Sequence, residues 1–315
     1  MVLNVREILL LMAEETEKNG IPLPINPRVI TEWAEGLGLP EKGDTLLYTG
    51  GLYQLMPYIN ALVKYLEVLE SRPSGGFLLK AARKLGLTGL AGAIAKPDRR
   101  EVEYSHKVLR AIVKLLQSAG VEFAYNPSAD GYSGVLLYDM GLDNVFRRHA
   151  VRVYESLKKA GARRIITIDP HTTFIMEKVY PEYVKGFDIE VVNYLRLLRE
   201  KGYKPSGNGG RVVIHDPCLY ARELGIIEEP RKLLADAGYE ILEPRRSGRM
   251  TYCCGGPVES IAPRLSRKIA SMRARELSEK GRRVVTLCPI CLANLSRAGE
   301  KLEINDISLY LSGEA

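Results

Sequence analysis

RVVIHDPC (211–218), CCGG (253–256) and VVTLCPIC (284–291) are the three pieces of one stretch on which the reading of this chain turns. The first and third are apolar, β-branched runs that end abruptly in a short loop, the pattern of a buried parallel strand and its exit. All five cysteines of the 315-residue sequence lie in these loops, at Cys218, Cys253, Cys254, Cys288 and Cys291. Three groups of thiols delivered by three loops read as ligands converging on one metal centre. A structural zinc takes four ligands, and so does an ordinary iron–sulfur cubane. Five exceed either need by one. Adjacent side chains reach two metal atoms of one cluster more easily than they share a single tetrahedral ion.

Outward from this stretch the chain repeats itself. TLLYTGG (45–51) reads like RVVIHDPC, AGVEFAYNPSADGYSG (119–134) like AGYEILEPRRSGRMTYCCG (237–255), KKAGARRIITIDPHT (158–172) like SEKGRRVVTLCPIC (278–291), and FDIEVVNYLRLL (187–198) like LEINDISLYL (302–311). The offsets stay nearly constant between Gly120 and Gly238, Gly134 and Gly255, and Asp169 and Cys288. Short apolar strands (LLYTG, VEFAY, RRIITI; RVVIH, YEIL, RRVVTL) alternate with helices of 3.6-residue apolar spacing, such as Val108, Ile112, Leu115 and Leu116. The fold class expected is α/β: two duplicated lobes, each a small parallel sheet flanked by helices, with an N-terminal helical extension. The divisions expected are 1–44 for that extension, 45–204 for a first lobe without cysteine ligands, and 211–315 for the lobe with the metal site. GYKPSGNGG (202–210) joins the lobes. Ligands of such sheets sit beyond the carboxyl ends of strands, so the three cysteine loops can meet on one edge.

The spacing C-x34-CCG-x32-C-x2-C, headed by HDPC and ended by CP-x-C, resembles the cysteine-rich CCG domain of heterodisulfide reductases and of related anaerobic oxidation systems. The resemblance implies one noncubane [4Fe-4S] cluster on Cys218, Cys253, Cys254, Cys288 and Cys291. It implies a redox subunit that exchanges electrons with a disulfide or thiol substrate. It also implies a separate ferredoxin-like iron–sulfur subunit, with a flavoprotein beyond it, since no ferredoxin motif C-x2-C-x2-C-x3-C occurs here. Members often carry the motif twice. Here Gly51 stands at the first cysteine position, Tyr132 and Ser133 at the pair, and Asp169 and Thr172 at the CP-x-C positions, while Gly134 and Pro170 are retained. The first lobe is therefore expected to buttress the second. A residual site on Asp169 and His171 lacks further evident ligands. The alternative from another class is a zinc-binding scaffold or assembly subunit using four of the five cysteines.

Around the motif, Gly255 and Gly256 let the backbone pass close to sulfur, and Pro289 stiffens the last loop before a helix whose amides face the site. His215, directly before the first ligand loop, is the candidate for proton delivery to a leaving thiolate, with Asp216 beside it. Arg245, Arg246 and Arg249 can draw in an anionic substrate or sit in a solvated loop.

Composition bounds the rest. Hydrophobic residues make up 46%, and the net charge is +7. No basic run is interleaved with aromatics, so nucleic acid is not expected as a partner. No stretch reaches the roughly 18 apolar residues of a membrane span. MVLNVREILLLMAEETEKNG reads as an amphipathic helix and not a signal peptide. Cysteines in a chain without an export signal fit a reducing, cytoplasmic setting. A second short helix is expected near 27–37, with Trp33 as a packing anchor. The 71–101 insert, with Lys80, Arg83 and Lys84 beside Phe77, Leu78 and Leu79, has no counterpart in the second lobe. It is either surface decoration or a docking element, for a partner or for peripheral association with a membrane.

Overall fold

Among the described residues, short and mostly apolar runs build seven strands in two parallel sheets. The structure, a computed structural model, describes residues 5–70 and 96–315. The basic and apolar residues singled out in the 71–101 insert lie outside the described residues. Strands β1 (Thr45–Tyr48), β2 (Arg164–Thr167) and β3 (Glu190–Asn193) form the first sheet in the order β1-β2-β3. Strands β4 (Gly210–His215), β5 (Tyr239–Leu242), β6 (Arg283–Thr286) and β7 (Glu303–Asp306) form the second in the order β5-β4-β6-β7. Every ladder is parallel. Ile165 and Ile166 of β2, and Val284 and Val285 of β6, are fully buried. Helices cover both faces of a parallel sheet, which explains the unbroken apolar runs.

The two halves share local geometry as well as strand order. Gly134 and Gly255 both take a left-handed conformation, with φ of 87° and 80°. Asp169 and Cys288 both stand at the N-cap of a helix that begins with proline, Pro170–Phe174 and Pro289–Ser296 respectively. Asn193 and Asp306 end β3 and β7 and cap the helices that follow, accepting from the amides of Leu195 (3.0 Å) and Ser308 (2.9 Å).

The carboxyl ends of the two sheets face each other. Tyr53, just past β1, donates its hydroxyl to Asp306 Oδ2 at 2.6 Å, and Asn193 Nδ2 donates to the hydroxyl of Tyr220, just past β4, at 2.7 Å. Each of the two large buried clusters draws on both sheets: Leu46, Ile165, Val213 and Val284 in one, Leu47, Ile166, Val212 and Val285 in the other. The linker between the halves is pinned. Asn208 donates its backbone N–H to Tyr239 Oη at 3.1 Å and its side-chain amide to Gly313 O at 3.0 Å.

Two expectations on local structure need correction. VEFAY (121–125) does not form a ladder strand; it contributes a single parallel bridge, Ala124 to Leu46. In the next parallel step Asn126 O would accept from the N–H of Thr49, but that N–H is taken by Asp130 Oδ1 at 2.8 Å, so pairing stops after one step. The segment 27–37 is not an α-helix but two 3-10 turns, Pro27–Ile30 and Glu32–Ala34. The β-branched run Val29-Ile30-Thr31 disfavours an α-helix, and Gly36 and Gly38 turn left-handed directly after it. Trp33 is fully buried, edge-on to Tyr125 with ring centroids 4.9 Å apart, as a packing anchor should be. The helix Val5–Asn19 buries Ile8 and Met12 and packs on the helix Asp143–Lys159.

Candidate metal centre

The three cysteine loops leave the second sheet at its carboxyl edge. Cys218 follows β4 and caps a π-helical turn, Leu219–Leu224. Cys253 and Cys254 lie in the loop beyond β5, and Cys288 and Cys291 flank the first turn of the helix after β6. All five are free thiols; Cys254, Cys288 and Cys291 are buried, while Cys218 and Cys253 keep some exposure. Their sulfurs form one continuous chain of contacts running Cys218, Cys253, Cys254, Cys291, Cys288. The structure thus brings all five predicted residues together.

That crowding has an electrostatic consequence. The hydrogen bonds from Cys218 and Cys254 pull the Cys253 thiol down. Burial works against ionisation of Cys288, yet hydrogen bonds from Cys291 and His171 pull it down too. Those neighbours in turn push Cys218, Cys254 and Cys291 up: Cys253 acts first on Cys218 and on Cys254, and Cys254 acts first on Cys291. Five thiolates repel one another in so small a space. They can all ionise only around positive charge, which is the demand a polynuclear metal site meets.

The backbone is shaped to this sulfur. The amide of Gly255 donates to Cys253 Sγ at 3.3 Å and that of Gly256 to Cys254 Sγ at 3.4 Å. Gly255 needs its left-handed φ, and a Cβ there would also strike Ser266 O at 2.9 Å. Gly256 is required by contact alone: a Cβ would fall 2.0 Å from Ile290 Cγ2 and 3.4 Å from Cys254 Sγ. Gly256→Ala is expected to push Ile290 and the CPIC turn outward. The cost should be about 1–3 kcal/mol, as for other overpacked sites, read as a lower urea midpoint together with lower metal content. An unmoved midpoint would mean that the turn yields freely.

His215 ends β4 fully buried. Its Nδ1 accepts from Arg273 Nε at 3.1 Å, and its Nε2 has no hydrogen-bond partner. A guanidinium only donates, so Nδ1 carries the lone pair and the neutral ring holds its proton on Nε2. Burial, reinforced by Arg273, lowers the His215 pKa to about 3, so the ring is neutral. One ring nitrogen of His215 and the sulfurs of Cys254 and Cys291 all lie within 4.8 Å of one another. Asp216 faces elsewhere. It takes a forked pair of bonds from Arg231, at 2.8 and 2.9 Å, and one from the amide of Gly248 at 2.7 Å, so it braces the loop before Cys253. In that loop Arg246 stacks on Tyr252, 4.5 Å from the ring centroid, and Arg249 reaches the carbonyl of Arg222.

Two residues not singled out as second-half partners belong to the site. Arg273, fully buried on the helix Pro263–Ser278, reaches His215, the carbonyl of Arg246 (2.9 Å) and Glu276 (3.1 Å). Its position three after Ala270 and four before Leu277 sets it on the buried stripe of that helix, which was a readable signal. His171 comes from the first half, and its buried ring lies beside Cys288. Burial works against its charge, but Cys288 and Asp139 outweigh it and raise its pKa to about 9. Asp169 Oδ1 accepts from the amides of His171 (2.8 Å) and Thr172 (2.9 Å), while its Oδ2 is buried without a hydrogen-bond partner.

Residues 212–296 match the CCG family, described as a cysteine-rich domain, and this span contains all five cysteines. The chain is 31% identical over 204 residues to a probable membrane-anchored ferredoxin of Chromohalobacter salexigens, covering 61% of this chain and 30% of that one. It is 27% identical over 224 residues to the probable iron-sulfur-binding oxidoreductase FadF of Bacillus subtilis, covering 68% and 31%. It is 26% identical over 208 residues to one chain of the dihydromethanophenazine:CoB–CoM heterodisulfide reductase of Methanosarcina barkeri, covering 61% and 50%. The matches thus span only about a third to a half of these curated relatives. Among the described residues no helix is long and apolar enough to cross a membrane.

Proposed function

We propose that this chain is a redox subunit holding one iron–sulfur cluster, of the noncubane [4Fe-4S] type, on Cys218, Cys253, Cys254, Cys288 and Cys291. It exchanges electrons with a disulfide or thiol substrate. The observation that carries this reading is the unbroken chain of five free thiols fed by three loops at one sheet edge. The resemblance to iron–sulfur oxidoreductase proteins supports it. The donor set fits the group: soft thiolates suit iron–sulfur clusters, and two glycine amides already point at sulfur.

When bound, such a cluster supplies one-electron oxidation and reduction at the sulfur-lined wall of the site. This chain's own residues set the surroundings. Cys218 and Cys253 keep exposure and mark the side from which substrate approaches. His215 holds a proton on Nε2, where it can bond to sulfur or meet a leaving thiolate. Arg273 fixes that proton in place. Electrons come from a further ferredoxin-like iron–sulfur centre, on a partner subunit or a linked domain, with a flavoprotein beyond it; every cysteine of these 315 residues goes to this one site.

One observation favours a zinc scaffold as the second reading: the close grouping of His215, Cys254 and Cys291 suits a single tetrahedral ion. Against it, His215 must first surrender the Nε2 proton that its bond to Arg273 dictates. Purification without air separates the two. The redox reading expects a brown protein with about four irons and inorganic sulfide per chain; a colourless protein with one zinc and no iron would overturn it.

A further inference from the structure

We propose that His171, although carried by the first half, is a hydrogen-bond donor to the thiolate of Cys288 and hence a positioning residue of the cluster site. The proposal rests on the cluster reading above. It changes what the first half is for: that half does not merely prop the site from behind but supplies one of its walls.

The argument starts from the loop after β2. The first half keeps the strand, proline and helix of the CP-x-C segment but replaces its cysteines with Asp169 and Thr172. Asp169 takes over the N-cap with Oδ1, and this fixes the backbone of His171. The equivalent place in the second half is Ile290, an apolar residue packed beside Gly256. Apolar packing would have served the first half equally well. A histidine that is only 4% exposed must instead find polar partners or carry the cost of burial. Cys288, from the other half and 117 positions away, lies beside its ring, and so do Asp169 and Asp139, whose Oδ2 is 3.9 Å from Nδ1. Nδ1 itself makes no hydrogen bond. A thiolate and two carboxylates only accept, so what they can take from the ring is an N–H. The facing carboxyl ends of the two sheets make the meeting unavoidable, because Asp169 and Cys288 end corresponding strands. Cys288 is also the most deeply buried of the five thiols, at 0% exposure, so a protein donor takes the place that water cannot.

A donor to a ligand sulfur stabilises the more negative, reduced state and raises the potential. His171→Leu is therefore expected to keep the wild-type iron and sulfide content. Its reduction equilibrium should become about tenfold less favourable, ~59 mV for a one-electron couple. His171→Gln keeps an N–H donor and should recover more than half of that shift. Exchangeable-proton hyperfine couplings at the cluster should disappear in the Leu variant and persist in the Gln variant. Should leucine beside Asp139 prevent folding, His171→Asn, polar but too short to reach Cys288, is expected to show the same loss. A fully loaded Leu or Asn variant with unmoved potential and couplings would overturn the proposal. So would loss of iron from both the Leu and Gln variants, since that makes His171 a ligand. If the wild-type protein itself holds no iron, the cluster reading has failed; if it is loaded and the variants do not differ from it, this proposal alone has failed.

Discussion

Cys254→Ser is expected to strip the protein of its cluster, from about four irons per chain to fewer than about one. Cys254 occupies the middle of the sulfur chain, in contact with both Cys253 and Cys291. It is 3% exposed, and the amide of Gly256 points at its sulfur. A serine there offers a harder, far less acidic oxygen with a shorter reach. Ligands of a metal site must be deprotonated, and a hydroxyl resists that much more than a thiol does. The substitution also distinguishes the readings. If four of the five cysteines bind one zinc, one of the five Cys→Ser variants should keep its metal; if all five serve one cluster, none of them should. Metal analysis of the five single variants, prepared without air, reads this directly. Full iron and activity in the Cys254 variant would remove the five-ligand assignment. Metal binding and folding share one free energy, so a lower thermal midpoint should accompany the loss.

Much of this arrangement could be read from residues before any coordinates. RVVIH and VVTL announce their strands by β-branching, and the cysteines that follow them mark the strand ends. The internal repeat carried the positive φ of Gly134 and Gly255, because only glycine takes that conformation without strain. VEFAY misled because strand propensity describes fit to a pleated surface, not the availability of a partner; Asp130 takes the Thr49 N–H that the next step of the ladder needed. His171 could not be assigned to the cysteine site from its neighbours in sequence. Its partner belongs to the other half, and only the facing of the two sheets joins them. Arg273 was hidden differently. It is one of 45 Lys and Arg residues, in a helix that also presents Arg264, Arg267, Lys268 and Arg275. The helical period singles it out only when each basic residue is tested against the stripe of Ser266, Ala270, Ala274 and Leu277.

That hidden arginine yields the second large effect. Arg273→Met should destabilise the loaded protein by about 3–5 kcal/mol, the cost of breaking a buried ion pair by removing one partner. The side chain is 0% exposed and gives bonds to three elements at once: His215 on β4, the Arg246 carbonyl in the cysteine loop, and Glu276 one turn along its own helix. Without it, Glu276 retains only the Arg246 amide at 2.8 Å and that residue's side chain at 3.6 Å, and His215 Nδ1 has no donor. Methionine fills the volume, so a cavity contributes little and the loss measures the unpaired polar groups. Lysine should rescue only in part, because an ammonium cannot reproduce the planar fork. The decisive comparison is the double variant Arg273→Met, Glu276→Leu. Removing both charges takes away the uncompensated carboxylate, so at least half of the lost stability should return, measured as the denaturant midpoint without air. A double variant no more stable than Arg273→Met would place the cost at the two bonds that remain lost, to His215 and to the Arg246 carbonyl. Holding the imidazole proton and the cysteine loop in place would then be what this arginine is buried to provide.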